Sequence, residues 1–321
     1  MIKASLLVLL AACAVDDVSD IEAEPIAFRC PAFGCGVNTA TGPDGQFFDV
    51  LDRTGVNPNE DGVRVSEFKL GSIKLKLEVE LDRLVGVDKN GHRYVGNDLD
   101  GAEMQMSTPS GSFRVVFEDV DPIGIEFWAG TAKEVVEVYD LRVYAPNGQS
   151  AWACHEPVPG WAGRSYSAIA FEGDSYDKKW KTVTDDYGST WFNLACAGSY
   201  EAKLHLLRHT YAGGFNDAGV RQYPTDPWQR QTYLKALTAD FFGDGGTFTV
   251  TGTPLRYTDA AGFHPDNFTG ARPEAYWDQD GAICLADPRI GSRISVDPYW
   301  VIPICAWGLS RPPYVFTATP P

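Results

Sequence analysis

The sequence predicts an α+β protein that is predominantly β, with antiparallel sheets, two helices in its second half and disulfide bonds. Alternation of apolar and polar residues dominates the first half, the helix signals come late, and the cysteines form an even set once one near the N-terminus is set aside. The chain has 321 residues, of which 44% are apolar and 22% charged, a composition typical of a folded protein with a sizeable core.

The strands of the first half are predicted from period-two alternation. Apolar and polar residues alternate over residues 68–81, which indicates a strand with one buried face. The parity of this pattern changes at Gly71-Ser72, which predicts a β-bulge. Pro146-Asn147-Gly148 is a turn signal, so the strands on either side of it are expected to form a hairpin. The further strands of this half are predicted at residues 113–117, 123–128, 135–144 and 151–154.

The strongest helix signal lies in the second half. Asp226 is a good N-cap, Pro227 suits the first helical position, and Gly243 ends the pattern. The apolar residues that share one face of this helix are Leu234, Leu237 and Phe241. A weaker helix is predicted over residues 200–208, and further strands over residues 246–257 and 283–285.

The N-terminus resembles a bacterial lipoprotein signal. Lys3 gives it a positive charge, residues 4–12 are apolar or small, and the stretch ends in Leu10-Ala11-Ala12-Cys13. This order resembles the bacterial lipobox, in which the peptide is cut before the cysteine and the thiol receives a diacylglycerol. The resemblance implies that Cys13 is lipidated; a plain cleaved signal is the alternative. Ala14 follows the cysteine, which under the sorting rule of enteric bacteria implies the outer membrane.

This signal sets the expected organisation of the chain. Residues 1–12 are predicted to be the signal peptide and residues 13–27 an acidic, extended tether. A β-rich region is expected over residues 28–145 and a second domain over residues 146–321. Because the predicted hairpin straddles residue 145, one continuous unit is the alternative. We expect the protein at the bacterial cell envelope, lipid-anchored and sorted to the outer membrane, or otherwise periplasmic or secreted.

Seven cysteines are present, and assigning Cys13 to lipid leaves an even number in an oxidising compartment. Three disulfides are therefore predicted. The spacing leaves their pairing open, and we favour Cys30 with Cys35, Cys154 with Cys196, and Cys284 with Cys305. A zinc site is the competing interpretation, but there is no Cys-x-x-Cys and no histidine at ligand spacing from two cysteines. We predict no metal and no cofactor.

Several motifs of the second half resemble the bacterial ADYC domain family. In chain order they are Phe192-Asn193-Leu194-Ala195-Cys196, Ala202-Lys203, Thr238-Ala239-Asp240-Phe241-Phe242-Gly243-Asp244-Gly245, Gly252-Thr253-Pro254-Leu255 and Glu274-Ala275-Tyr276-Trp277-Asp278-Gln279-Asp280-Gly281-Ala282-Ile283-Cys284. The segment from Cys30 to Asn38 also looks like the start of such proteins. The resemblance marks residues 146–321 as the ADYC-like domain and implies an exported setting, but it implies no reaction.

The chain departs from the family at the tetrad Ala-Asp-Tyr-Cys, which here reads Ala239-Asp240-Phe241-Phe242. Relatives also tend to carry cysteines where this chain has Leu204 and, approximately, Tyr233. The resemblance implies that apolar packing replaces disulfide links at these positions. Phenylalanine has neither nucleophilic nor acid–base chemistry, so the motif is interpreted as structural and no catalytic residue is assigned.

Charge narrows the function classes. Acidic residues outnumber basic ones, 43 against 27, giving a net charge of −16 that repels nucleic acid and anionic lipid. We therefore expect no nucleic-acid partner and membrane contact only through the N-terminal lipid. The leading hypothesis is a protein that binds or scaffolds at the envelope, with a protein or carbohydrate ligand. The alternative is an exported hydrolase of polysaccharide or cell-wall material, with Asp240, Glu274, Asp278 and Asp280 as candidate carboxylates.

For each of these candidates a structural interpretation is favoured. Asp240 is expected to cap the turn after the helix, and Asp278 and Asp280 to shape a hairpin. His205 and His209 have the i, i+4 spacing of metal ligands but are interpreted as surface or packing residues. Residues 57–62, 88–91 and 97–101 are oxygen-rich loops; a Ca²⁺-stabilised adhesin is a third hypothesis, but solvated turns are favoured. The tryptophans to inspect for an exposed binding patch are Trp152, Trp161, Trp180, Trp191 and Trp228.

Overall fold

The computed structural model describes residues 36–37, 50–109, 111–129, 134–154, 167–177, 179–185, 190–196, 199–215, 226–249, 253–260, 271–290, 302–305 and 315–319. The signal peptide, the tether and the candidate residues Cys13, Cys30, Cys35 and Trp161 lie outside the described residues.

Most of the described chain is β-strand. The strands are β1 (Gly36–Val37), β2 (Leu51–Asp52), β3 (Arg64–Leu70), β4 (Ile73–Glu80), β5 (Arg83–Val87), β6 (Arg93–Tyr94), β7 (Ala102–Thr108), β8 (Gly111–Glu126), β9 (Val135–Tyr144), β10 (Ser150–Trp152), β11 (Ser167–Glu172), β12 (Asp174–Asp177), β13 (Thr182–Asp185), β14 (Trp191–Cys196), β15 (Pro254–Asp259), β16 (Arg272–Asp278), β17 (Gly281–Leu285) and β18 (Val315–Thr319). The α-helices in the described residues are α1 (Tyr200–Leu206) and α2 (Pro227–Thr238).

The larger sheet follows the order β2-β14-β11-β9-β8-β7-β3-β4-β5-β6, with β10 paired to β9, and its strands pair antiparallel. The sheet curls, since β4 and β5 contact β11 and β2 contacts β3. Its inner face encloses a core that includes Phe68, Leu77, Phe117 and Phe192. Residue 145 lies between β9 and β10, so strands from both sides of it belong to one sheet.

β11 and β14 are shared by two cores. In β11, Ala168 and Ala170 face the core of the curled sheet, while Ile169 and Phe171 pack in a second core together with the helices. A strand buried on both faces reads as a continuous apolar run rather than as an alternation. Period-two reasoning therefore misses these strands, although they carry the centre of the fold.

The helices form a middle layer. A smaller antiparallel sheet, β1-β15-β18-β16-β17, contacts α2 through β16, β17 and β18, while α1 contacts β11 and β14 of the larger sheet. The short pair β12–β13 covers a further side of α2. Arg230 and residues 232–238 of α2 are buried, so the polar side chains among them must find partners inside the protein.

The start of α2 follows its predicted signal, whereas its end does not. The Ser199 hydroxyl accepts a hydrogen bond from the backbone N–H of Ala202 (3.2 Å) at the start of α1. At the start of α2, the backbone N–H of Asp226 donates to Oε1 of Gln229 (2.8 Å). The prediction that Gly243 ends the helix is wrong: α2 ends at Thr238, because Ala239 adopts the left-handed conformation with φ of 54° and turns the chain, so Phe241 lies beyond the helix.

The predicted fold class is confirmed, and several local predictions are wrong. The strands predicted separately at residues 113–117 and 123–128 belong to one strand, β8 (Gly111–Glu126). Gly71-Ser72 is the turn of the β3–β4 hairpin, with Leu70 paired to Ile73, rather than a bulge inside one strand. Residues 246–249 are not strand, since the N–H of Gly246 donates to Oδ1 of Asp244 (2.9 Å) and holds the chain in a turn; β15 begins at Pro254.

Candidate functional site

The family motif forms a joint between α2 and its neighbours. Asp240 is buried, and its Oδ2 accepts hydrogen bonds from Nζ of Lys235 (2.6 Å) and from the backbone N–H of Gly245 (3.0 Å). Nζ of Lys235 also donates to the carbonyl oxygen of Trp180 (2.6 Å) in the β12–β13 turn. Burial raises the pKa of Asp240, while the ammonium of Lys235 acts against this rise. The predicted turn-capping role of Asp240 is confirmed, and an ion pair adds to it.

The two glycines of the motif admit close backbone contacts. A Cβ at Gly243 would lie 1.8 Å from the carbonyl oxygen of Asp280, and one at Gly245 would lie 1.8 Å from that of Lys179. Both glycines have positive φ, +70° and +83° respectively. The backbone of the motif therefore packs directly against the β16–β17 turn and the β12–β13 turn. Only glycine, which has no Cβ, allows the backbones to approach this closely.

Glu274 is also part of a buried ion pair. Its carboxylate receives Nε and Nη2 of Arg289, each at 2.5 Å, and both side chains are fully buried. Nη2 of Arg289 also donates to the carbonyl oxygen of Ala236 in α2 (3.0 Å). This bidentate pair ties the smaller sheet to α2.

Asp278 and Asp280 lie at the β16–β17 hairpin, as predicted. Oδ1 of Asp278 accepts the backbone N–H of Asp280 (2.9 Å), the geometry of an Asx turn. The side chain of Asp280 is exposed, and Asp278 is half-buried. Of the four candidate carboxylates, the structure thus places two in buried ion pairs and two at a hairpin turn, and it does not assemble them in a cleft.

Further buried ion pairs surround the helices, and sequence reasoning did not find them. Nη2 of Arg230 in α2 lies 3.1 Å from Oδ1 of Asp174, and both side chains are buried. Arg208, after α1, pairs with Glu134 and lies 3.4 Å from the ring centroid of Phe127. The signal in the sequence was the number of charged residues in the predicted helices. If a helix is packed on two sides, such residues are buried and need partners of opposite charge.

Leu204, Tyr233 and Phe242, the positions at which the family resemblance implied replaced cysteines, are apolar or aromatic. Leu204 and Tyr233 are buried in the core around the helices. The hydroxyl of Tyr233 donates to Oδ2 of Asp259 (2.8 Å). Phe242 is half-buried and lies edge-on to Phe248, with ring centroids 5.4 Å apart. Leu204 and Tyr233 thus contribute to the packing around the helices.

The two histidines are packing residues, as interpreted from the sequence. The ring of His205 stacks on Phe171 with centroids 4.7 Å apart, and its Nδ1 lies 2.8 Å from Oγ1 of Thr210. His209 stacks on Tyr233 with centroids 3.4 Å apart. Burial lowers the pKa of His205, against the raising effect of the nearby Asp82.

Two disulfides join segments of the described chain, and both match the favoured pairing. Cys154 is bonded to Cys196, which fixes the end of β14 to the segment after β10. Cys284 is bonded to Cys305, which fixes β17 to residues 302–305. The expected Cys30–Cys35 pair lies outside the described residues.

The oxygen-rich loops are hydrogen-bonded turns. Oδ1 of Asp88 accepts the N–H groups of Asn90 (2.8 Å) and His92 (2.9 Å), and Oδ1 of Asp100 accepts that of Val120 (2.8 Å). Oδ1 of Asn59 accepts from Val63 (2.9 Å). Over the described ranges, histidine, cysteine, aspartate and glutamate side chains do not form a group of three that could hold a metal ion.

The four inspected tryptophans within the described residues differ in exposure. Trp180 is 48% exposed at the β12–β13 turn and Trp228 is 42% exposed at the start of α2. Trp152 is half-buried, with the guanidinium of Arg142 4.8 Å from its ring centroid. Trp191 is half-buried at the start of β14.

An open groove of about 800 Å³ lies on the larger sheet where β3 and β4 separate. We call it the β3–β4 groove; its lining residues are Arg53, Thr54, Val65, Ser66, Glu67, Phe68, Lys74, Leu75, Lys76, Leu77, Glu78, Val79, Glu80 and Thr190. Sequence reasoning missed it, because it treated residues 68–81 as one strand instead of two that diverge.

Asp52 holds the loop that closes one end of this groove. Its Oδ1 accepts the backbone N–H of Thr54 (2.9 Å), and its Oδ2 accepts that of Asn57 (2.9 Å). Although burial acts to raise the pKa of Asp52, hydrogen bonds from Thr190, Asn57 and Thr54 hold it at about 2. The loop at this end of the groove is therefore held by hydrogen bonds to the carboxylate of Asp52.

These features define a disulfide-linked, mostly β protein with a buried helical layer, an ion-paired joint and an open groove on its larger sheet. The family model of the ADYC domain matches residues 96–291, more than half of the chain. The protein belongs to the ADYC domain family. No curated protein and no solved structure matches the chain. No helix within the described residues is long and apolar enough to span a membrane.

Proposed function

We propose that this chain is an exported, lipid-anchored protein that binds or scaffolds at the cell envelope without catalysis. One observation carries the proposal: the residues that a hydrolase would need are used to build the fold. Lys235 and Arg289 pair with Asp240 and Glu274, and Asp278 forms the Asx turn of a hairpin. A general acid or nucleophile must instead face a substrate in an accessible cleft.

The exported setting is supported by independent features. Two disulfides stabilise the described chain, and structural disulfides persist in oxidising compartments such as the periplasm and the cell surface. The sequence Leu10-Ala11-Ala12-Cys13 resembles a lipobox. Two or more acyl chains give stable attachment, whereas one alone is marginal.

The β3–β4 groove supplies the binding surface. It combines apolar side chains at its floor with charged side chains at its rim, and its end is fixed by the hydrogen bonds of Asp52. A preformed concave site of mixed polarity is the usual form of a ligand site. The partner classes that we propose are protein and carbohydrate, reached from an anchor at Cys13.

The alternative, an exported hydrolase, is tested with variants that leave the buried ion pairs intact. We expect purified protein to release no soluble sugar or peptide from peptidoglycan and polysaccharide substrates, and Asp280→Asn to behave like the wild type. Asp280 is the matched choice because its side chain is exposed. Turnover by the wild type that is lost in Asp280→Asn, with unchanged thermal unfolding, would contradict the non-catalytic proposal.

Anchoring is tested separately by expressing the full chain with its own N-terminus in a bacterial host. The wild type is expected in the membrane fraction, and Cys13→Ser in the soluble fraction or as unprocessed precursor. Equal membrane partitioning of a processed Cys13→Ser chain would contradict lipid anchoring.

A further inference from the structure

The chain contains two Asn-Gly pairs, and both lie in exposed turns between strands of the larger sheet. Asn90-Gly91 lies between β5 and β6, and Asn147-Gly148 lies between β9 and β10. The two glycines have nearly the same backbone conformation, with φ of +81° and +82°, and a Cβ at either of them would meet nothing within 4 Å. Both pairs are therefore accessible to water.

An exposed Asn-Gly pair can react with its own backbone, because glycine has no Cβ to shield its nitrogen. That nitrogen gives its proton to a base in the solvent and forms a bond to Cγ of the asparagine. The bond from Cγ to Nδ2 then breaks, Nδ2 takes up a proton and leaves as ammonia, and a succinimide ring remains. Water opens this ring at either of its two carbonyl carbons, which gives aspartate or isoaspartate. The net change is the loss of ammonia and the gain of water.

The two sites share the same turn, so the backbone geometry does not distinguish them. The backbone N–H of Gly91 donates to the carbonyl oxygen of Asp88 (3.0 Å). In the same way, the N–H of Gly148 donates to the carbonyl oxygen of Ala145 (2.9 Å). In both turns the asparagine is the third residue and the glycine the fourth. A difference in reactivity must then come from the groups around the two asparagine side chains.

The side chain of Asn147 is held in a way that favours attack on its Cγ. The backbone N–H of Gln149 donates to Oδ1 of Asn147 (3.0 Å), and Nδ2 of Asn147 donates to Oε1 of Gln149 (2.9 Å). Attack on Cγ moves negative charge onto Oδ1. A hydrogen-bond donor that is already in place at that oxygen stabilises this charge, as the donors of an oxyanion hole do.

The surroundings of Asn90 act in the opposite direction. Within the described residues, Oδ1 of Asn90 accepts no hydrogen bond, and Nδ2 of Asn90 lies 3.4 Å from Oδ2 of Asp88. The carboxylate of Asp88 is fixed there, since its Oδ1 accepts the backbone N–H groups of Asn90 (2.8 Å) and His92 (2.9 Å). A carboxylate so close to the reacting amide disfavours the negative charge that attack would create. The structure thus favours reaction at Asn147 over reaction at Asn90.

We propose that Asn147-Gly148 is a site of spontaneous deamidation, which reacts faster than Asn90-Gly91 in the folded protein. This inference is independent of the proposed binding function. Either product adds a negative charge to the β9–β10 hairpin, and isoaspartate also lengthens its main chain by a carbon atom. The N–H of Ala145 donates to the carbonyl oxygen of Gln149 (2.9 Å) across this turn, so the added carbon falls inside the loop that this hydrogen bond closes.

The test incubates the mature protein, with its disulfides intact, at mildly alkaline pH, both in buffer and in urea. Samples taken over time are digested in acid, where the reaction is slow, and mass spectrometry that separates aspartate from isoaspartate gives the rate at each site. Gln149→Pro removes the N–H that donates to Oδ1 of Asn147. Gln149→Ala is the matched control, because it keeps that N–H and removes only the side chain. Circular dichroism checks that both variants are folded.

In the folded protein we expect Asn147 to react about fivefold or more faster than Asn90, the factor to which about 1 kcal/mol of hydrogen bonding to the developing charge corresponds. In urea the two rates should converge, because unfolding removes this hydrogen bond and the fixed position of Asp88. Gln149→Pro should slow the reaction of Asn147 to about the rate of Asn90, whereas Gln149→Ala should react as the wild type does.

Three results would overturn the inference: Asn147 stays intact, the two rates differ as much in urea as in buffer, or a folded Gln149→Pro variant leaves the rate at Asn147 unchanged. If the Gln149→Pro chain does not fold, the comparison between buffer and urea decides by itself, since it uses the wild-type protein and the two sites report on each other.

Discussion

Nζ of Lys235 and Oδ2 of Asp240 lie 2.6 Å apart inside the protein, and this pair fixes the end of α2 against the turn that follows. The ammonium also reaches the carbonyl oxygen of Trp180, so the pair connects the helix to a neighbouring β-turn. The family motif is therefore explained by assembly of the fold, and its carboxylate is not left free for chemistry.

Lys235→Met should lower the free energy of unfolding by about 3–5 kcal/mol, because it leaves the buried carboxylate of Asp240 without its cation. Lys74→Met is the matched control, since the Lys74 side chain is 77% exposed; it should change stability by less than about 0.5 kcal/mol. Urea unfolding followed by tryptophan fluorescence measures both. Equal stability of the two variants would show that the buried pair contributes nothing.

Gly243→Ala should destabilise the protein by about 3 kcal/mol or more, because the new Cβ meets the carbonyl oxygen of Asp280 in addition to the strain of a positive φ. Gly91→Ala is the control: its φ is +81°, yet nothing lies within 4 Å of its Cβ position. It should cost only about 1–2 kcal/mol. Thermal unfolding distinguishes them, and a larger loss at Gly91 would contradict the packing role of the motif.

Stability should fall as the pH drops below 6.5 because of His205. Burial lowers the pKa of its ring below the ordinary value of 6.5, so the unfolded chain binds a proton more readily than the folded one. The stabilisation that the neutral His205 ring provides is fully present above pH 6.5 and is lost as the pH falls below it. In His205→Gln, the slope of stability against pH between 5 and 6.5 should decrease, by at most about 1.4 kcal/mol per pH unit. An unchanged slope would contradict this assignment.

Asp52→Ala should cost about 1–2 kcal/mol, because several donors of the loop at the groove lose their acceptor. The pKa of Asp52 is about 2 in the folded protein, against an ordinary value of 3.8, so the stabilisation by its carboxylate depends on pH. It is complete above 3.8 and is lost as the pH falls toward 2, since the unfolded chain protonates first. Glu60→Ala changes an exposed side chain beyond the same loop and is the control. Wild type and Asp52→Ala should therefore converge in stability in acid.

Local signals in the sequence predicted much of the fold. β9 spans Val135–Tyr144 as expected, α2 begins at Pro227, and the two described disulfides match the favoured pairs. The strand and the helix start rest on neighbouring residues, such as the turn at Pro146-Asn147-Gly148 or the Asp226-Pro227 start, whereas the residue spacing alone left the disulfide pairing open. The hairpin at Asp278 was likewise predicted from neighbouring residues.

The rest depends on contacts between distant segments. β11 and β14 were missed because both of their faces are covered, which removes the alternation that marks a strand. The partners of Arg230 and Arg289 lie in other segments, so their ion pairs have no local signature. The groove exists because β3 and β4 are paired at only three positions, beyond which β3 pairs with β7 and β4 with β5. The sequence of the β3–β4 hairpin alone does not show where this pairing ends.

We propose that this ADYC domain protein is anchored at the envelope through Cys13 and works there by binding. Intact-mass spectrometry of the protein extracted from membranes tests it most directly, because one spectrum reports the first residue, the lipid and the disulfides. We expect a chain that begins at Cys13, carries a diacylglyceryl group on that thiol, and gains the mass of two hydrogens for each disulfide when it is reduced. A mature chain that begins elsewhere, or one that retains Cys13 without lipid, would contradict it.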